Sequence, residues 1–135
     1  MKNDLPIRRI AALWMLPLAL AAGPANAGEV IAHPSVTLSA DEVKETFLGD
    51  KQLAGSTKLV PVDNAAAQSD FAAKVLGTDV AKYGARWTKK AFREGLTAPS
   101  VKGSDAEVMA FVKSTPGAVG YVAGASAGVK VLLKY

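Results

Sequence analysis

Apolar residues recur along this chain at two spacings, and the spacings predict its elements. Glu29 to Ala32 is a short β-prone run ending at His33-Pro34. Ser39-Ala40-Asp41-Glu42 has the spacing of a capping box, Val43 and Phe47 lie four apart on the helix it opens, and Gly49 is a stop. Residues 51–57 are polar and contain glycine, which predicts a loop. Lys58 to Val62 predicts a strand, in which Pro61 removes one amide from the ladder. Asp63 or Asn64 is a candidate cap for a second helix burying Phe71, Ala72, Val75 and Leu76, and Gly77 ends it. Thr78 or Asp79 would cap a third. There Val80, Tyr83, Gly84, Trp87 and Ala91 share one helical face, and Gly95 closes it.

Residues 97–103, with Pro99, predict a loop. Ser104 and Glu107 repeat the capping-box spacing, and Val108, Met109, Phe111 and Val112 follow as an apolar face. Pro116-Gly117 forces a stop, and Val119, Tyr121 and Val122 form a β-prone run. After a glycine-rich turn over 124–128, Val129 to Tyr135 alternates as an edge strand would. The order β-α-β-α-α-α-β-β predicts an α/β fold, with helices covering a small mixed sheet.

The first residues change the picture. Lys2, Arg8 and Arg9 precede an apolar run from Ile10 to Ala22, and Ala25-Asn26-Ala27 is a small-x-small site. Residues 1–27 therefore read as a secretory signal peptide, too short in its apolar run for a stable membrane span. The expected mature part is residues 28–135, one domain in the periplasm. The net charge of +4 falls to +2 once Lys2, Asp4, Arg8 and Arg9 leave, so the basic balance is no argument for nucleic acid. With no cysteine and His33 the one histidine, thiol chemistry is excluded, and a zinc site or a histidine triad has little to build on. No metal, cofactor or catalytic constellation is expected. Asp41, Glu42 and Glu45 are grouped carboxylates whose first members suit a helix start.

Several blocks together resemble a known family. They are Leu38 to Gly49 (LSADEVKETFLG), Lys58 to Val62 (KLVPV), Phe71 to Gly77 (FAAKVLG), the aromatics Trp87 and Phe92, residues 104–122, and Gly128 to Leu132. In this order they resemble the phosphate-type, type II periplasmic solute-binding proteins. The resemblance implies a single lobe of that fold and recognition of a small oxyanion, phosphate by default, without catalysis. It also implies an oxyanion held at the start of the helix carrying Phe71. The family's serine position there falls on Ala65 and two further polar positions on Ala67 and Gln68, so Gln68 and Ser69 are the donors that remain.

Ser35, Thr115 and Gly117 complete the candidate ligand set. Ser35 would present its hydroxyl at a strand end, and Thr115 and Gly117 lie in the turn before a strand. Lys82, Arg86, Lys89 and Arg93 make a basic stripe on the third helix, of which Arg86, Lys89 and Arg93 are a candidate anion or partner surface. The alternative is a cell-envelope interaction module that has lost its ligand. Its partner would be an envelope or transporter protein, whereas in the oxyanion reading a partner or a second copy of this chain would close the cleft.

Overall fold

The computed structural model describes residues 28–124 and 127–135; the signal-peptide reading of residues 1–27 lies outside them. Among the described residues, seven strands and four helices follow in order. They are β1 (Glu29–Ala32), α1 (Ala40–Phe47), β2 (Leu53–Ala54), β3 (Thr57–Lys58), β4 (Val60–Asn64), α2 (Gln68–Phe71, continuing as a π-helical turn over Ala72–Leu76), α3 (Val80–Glu94), β5 (Ser100–Lys102), α4 (Asp105–Ser114), β6 (Ala118–Val122) and β7 (Lys130–Lys134). Five strands form one mixed sheet in the order β5-β4-β6-β1-β7. β4 runs parallel to β5 and β6, while β1 runs antiparallel to β6 and β7. The edge position expected for the last strand is observed.

Alternation along the central strands builds two cores. Val30, Ala32, Val119 and Tyr121 point to the face covered by α1, α2 and α3, where they meet Val43, Phe47, Phe71, Leu76 and Trp87. Ile31, Val62, Ala118 and Val122 point to the other face, against Val108, Met109 and Val112 of α4. The phenyl ring of Phe71 stacks on Tyr121 at 3.8 Å between centroids, and Phe47 meets both edge-on. Gly120 lets α4 close on the sheet, since a Cβ there would come within 2.6 Å of Val108.

The helix starts follow the caps. The Ser39 hydroxyl accepts from Glu42 N at 3.2 Å while Glu42 returns a bond to Ser39 N at 2.9 Å. Asp79 caps α3 and Ser104 caps α4. Glu107 departs from the box in one respect, because its carboxylate takes the amide of Gly103 rather than that of Ser104.

Three expectations are corrected. The predicted loop over 51–57 holds a two-stranded hairpin, β2 with β3. The predicted loop over 97–103 contains β5, which exists because β4 offers it a parallel ladder. Asp63 and Asn64 are the last residues of β4, buried, and α2 instead begins at Gln68 after Ala67 as N-cap, with no side-chain cap. Asn64 still turns the chain, its Oδ1 accepting from Ala66 N at 3.0 Å and its Nδ2 donating to Asp105 and to the carbonyl of Tyr121.

Candidate functional site

Leu59, Pro61 and Asp63 alternate with Val60, Val62 and Asn64, so the strand's own period turns Asp63 toward the layer of α1–α3. Its carboxylate is 2% exposed. Tyr83 of α3 donates to both oxygens at 3.1 and 3.0 Å, and Tyr121 of β6 donates to Oδ1 at 2.8 Å. Among the described residues no Lys, Arg or His hydrogen-bonds to it. Loss of water pushes its pKa up to about 6, against the pull of the two phenol hydrogen bonds. Burial and the neighbouring carboxylate likewise drive both phenols above their ordinary range.

Asp63 also reaches a groove of ≈ 640 Å³ between α3 and the segment that leads into β5. One face of α3 forms its wall: Val80, Tyr83, Gly84, Trp87, Thr88, Ala91 and Phe92 recur at helical spacing. Ala98, Pro99 and Val101 face them, and Gln68 closes the end beside Asp63. Among the described residues no basic side chain lines the groove. Phe92 is 91% exposed and Val101 56%, so the rim is apolar as well. Trp87, whose indole nitrogen donates to the carbonyl of Phe47 at 2.9 Å, is buried and does not pair with Phe92.

The sequence-derived ligand set divides between the two ends of the sheet. Gln68 and Ser69 follow the C-terminal end of β4; Gln68 is half-buried at the groove and Ser69 is exposed. Ser35 follows the C-terminal end of β1, which runs antiparallel to β6 and so lies near the start of that strand. Gly117 stands at that same start, and its amide meets the Ser35 hydroxyl at 3.4 Å. The ring nitrogen Nδ1 of His33 lies 2.8 Å from that hydroxyl. Thr115 ends α4, and its carbonyl accepts from Ala118 N. Ser35, Thr115 and Gly117 therefore form one turn cluster, and the geometry does not bring it to Gln68 and Ser69. Strand direction decides this: β4 runs parallel to β6 and β1 antiparallel to it, so a residue after β1 and a residue after β4 lie at opposite ends of the sheet.

The basic stripe also divides. Arg86 donates to the carbonyl of Leu48 at 3.0 Å and forms an ion pair with Asp50 at 2.9 Å. Lys90 joins the same carboxylate at 2.8 Å, so these two cations pin α3 to the turn after α1. Lys89 and Arg93 stay exposed. Among the described residues no group of His, Asp and Glu converges to hold a metal ion, and no helix is long and apolar enough to cross a membrane.

Asp63 is the residue that sequence reasoning missed as part of a site. Its signal was the strand period: an acid at an inward position of KLVPVDN, two residues from Pro61.

This architecture is a mixed α/β fold, a five-stranded sheet with helices on both faces, and it resembles a known receptor fold. An ABC-type phosphate transport receptor from Vibrio cholerae is similar to the chain, with a TM-score of 0.51 and 17% sequence identity, over 79% of this chain and 45% of the receptor. The matched region is thus less than half of that receptor, and the likeness concerns the fold. No family model matches the sequence, and no curated protein is significantly similar to it.

Proposed function

We propose that this chain is a solute-binding-like protein of the cell envelope, one lobe in extent, that recognises a small oxyanion without catalysis. The observation that carries the reading is the fold likeness to a phosphate transport receptor. The segment just beyond the C-terminal end of β4, which runs parallel to β5 and β6, supports it, since open α/β sheets take ligands beyond the carboxyl ends of their parallel strands. Gln68 and Ser69 would offer their side chains and amides there. Phosphate is the oxyanion that the receptor's description suggests.

Binding should be weak for two reasons. Ala65 and Ala67 supply no hydroxyl, and Asp70 in the first turn of α2 repels an anion. A single lobe would also leave one side of the ligand in water. Isothermal titration of the full chain with phosphate should give saturable heat at roughly millimolar Kd, with sulfate as the control. Asp70→Asn should tighten it several-fold. A folded protein that gives no heat, or an Asp70→Asn variant that changes nothing, would sink the oxyanion reading.

Export through residues 1–27 belongs to the same proposal. N-terminal sequencing of the exported protein should begin at Gly28.

The exposure of Phe92 favours the second reading, an envelope interaction module. Its ring stands on α3 between the groove and the exposed Lys89 and Arg93. A specific envelope partner, lost when Lys89 and Arg93 are reversed to Glu, would support that reading.

A further inference from the structure

The groove between α3 and β5 holds chemistry that an oxyanion does not use. Its walls are apolar and aromatic, and the one side chain among its lining residues that is ionised near neutral pH is a carboxylate. Asp63 is held by two neutral hydroxyls and by no cation. A buried carboxylate without a counter-charge is costly, and a cation delivered from the groove would relieve that cost. A carboxylate offers about four acceptor positions, of which the two phenols use three contacts, two of them on Oδ1. Oδ2 accepts from Tyr83 alone.

Gly84 is a second, independent observation. It sits in the middle of a 15-residue helix, where glycine weakens the helix. Its φ is not positive, and a Cβ built on it would meet nothing within 4 Å. Neither backbone geometry nor packing in this fold demands glycine there. The space that its missing side chain leaves open is the groove.

We propose that this groove binds a small organic cation, a protonated amine on an apolar or aromatic body, with the nitrogen received by Asp63 and the body lying along Gly84, Trp87 and Phe92. The volume of ≈ 640 Å³ is in the range of small-molecule sites. Tyr83 and Trp87 are aromatic members of the groove's wall, and aromatic rings attract a cation. At pH 7.5 Asp63 is mainly ionised, because its pKa of about 6 lies below that pH, and a bound ammonium would hold it so. The proposal does not rest on the oxyanion reading, so a failed phosphate titration leaves it standing.

The test is titration of the full chain at pH 7.5 with benzylammonium and with its neutral counterpart benzyl alcohol, followed by two-dimensional NMR. Wild-type protein should prefer the cation at least tenfold, with shifts centred on α3 and β5. Asp63→Asn keeps the shape of the side chain and should abolish the preference while weak binding of the alcohol persists. Gly84→Leu should block both probes with the fold intact by circular dichroism. Equal affinity for the two probes, absence of binding, or a preference that survives in Asp63→Asn would overturn the proposal. So would unchanged binding in Gly84→Leu, a variant that tests the location even where Asp63→Asn fails to fold. A purely structural Asp63 would change stability in the asparagine variant without changing the ratio of the two probes.

Discussion

Single side chains in this protein act by where the backbone puts them. Asp63 titrates near 6 when folded against an ordinary 3.8, so folding favours its protonated form. Its contribution to stability is fully present below pH 3.8 and is lost as pH rises through 6, a change of roughly 3 kcal/mol. Urea midpoints should therefore fall between pH 4 and 7 in the wild type, and Asp63→Asn should remove most of that slope. A variant with an unaltered slope would show that Asp63 is not the group responsible. Gly117 is fixed by a different physics. It has φ +86° at the start of β6, and a Cβ there would overlap the carbonyl oxygen of Lys58. Gly117→Ala should cost roughly 2 kcal/mol or more by chemical denaturation, because both the dihedral and the contact oppose it.

At the scale of elements, the helices carry their own punctuation and the strands do not. α1, α3 and α4 begin at Ser39, Asp79 and Ser104, each of which accepts an amide from its first turn. α3 ends at Gly95 in the left-handed region, with its amide on the carbonyl of Ala91. Gly84→Ala tests how far local preference governs α3. With nothing within 4 Å of the added Cβ, the variant should gain up to ~1 kcal/mol and melt several degrees higher. A lower melting temperature would mean that the groove wall needs the glycine for packing. β5 is the contrary case: three residues, two of them exposed, that depend on their ladder to β4 and on Lys102, whose ammonium lies 4.9 Å from the centroid of the Phe111 ring.

Across the whole molecule, the sheet separates two cores and an ion cluster joins parts distant in sequence. Asp50 binds Arg86 and Lys90 and so holds α3 against the turn after α1. These cations keep its carboxyl below the usual range, Lys90 chiefly and Arg86 next, so the cluster stabilises above pH 4 and fades as pH falls below it. The groups are part-exposed, and Asp50→Asn should cost no more than ~1 kcal/mol, a loss that shrinks in high salt. A loss that is the same at low and high salt would assign the effect to packing. The same long-range geometry splits the candidate ligand set. Ser35 and Gly117 meet across 82 residues of sequence at one end of the sheet, while Gln68 stands at the other.

Much of the fold was legible in the residue order, because helix signals are local. Ser39 with Glu42, Gly77, Asp79, Gly95, and Pro116 with Gly117 mark their boundaries through bonds and dihedrals that span a turn or less. β1 and β6 were legible as short β-prone apolar runs, but both of their faces are buried, so no alternation of polar and apolar residues assigned a side chain to either core. The rest was decided by partners. A short strand such as β5 contains no hydrogen bond of its own, so it exists only where another strand is in register. Asp63 reads locally as a helix cap and becomes a buried carboxylate only because β4 runs two residues further between β5 and β6. What the sequence determined by itself is the capped helices α1, α3 and α4 and the apolar runs that became central strands. The direction of each strand in the sheet, the division of the ligand candidates and the groove beneath α3 came from tertiary pairing, because they depend on contacts between residues that no local spacing encodes.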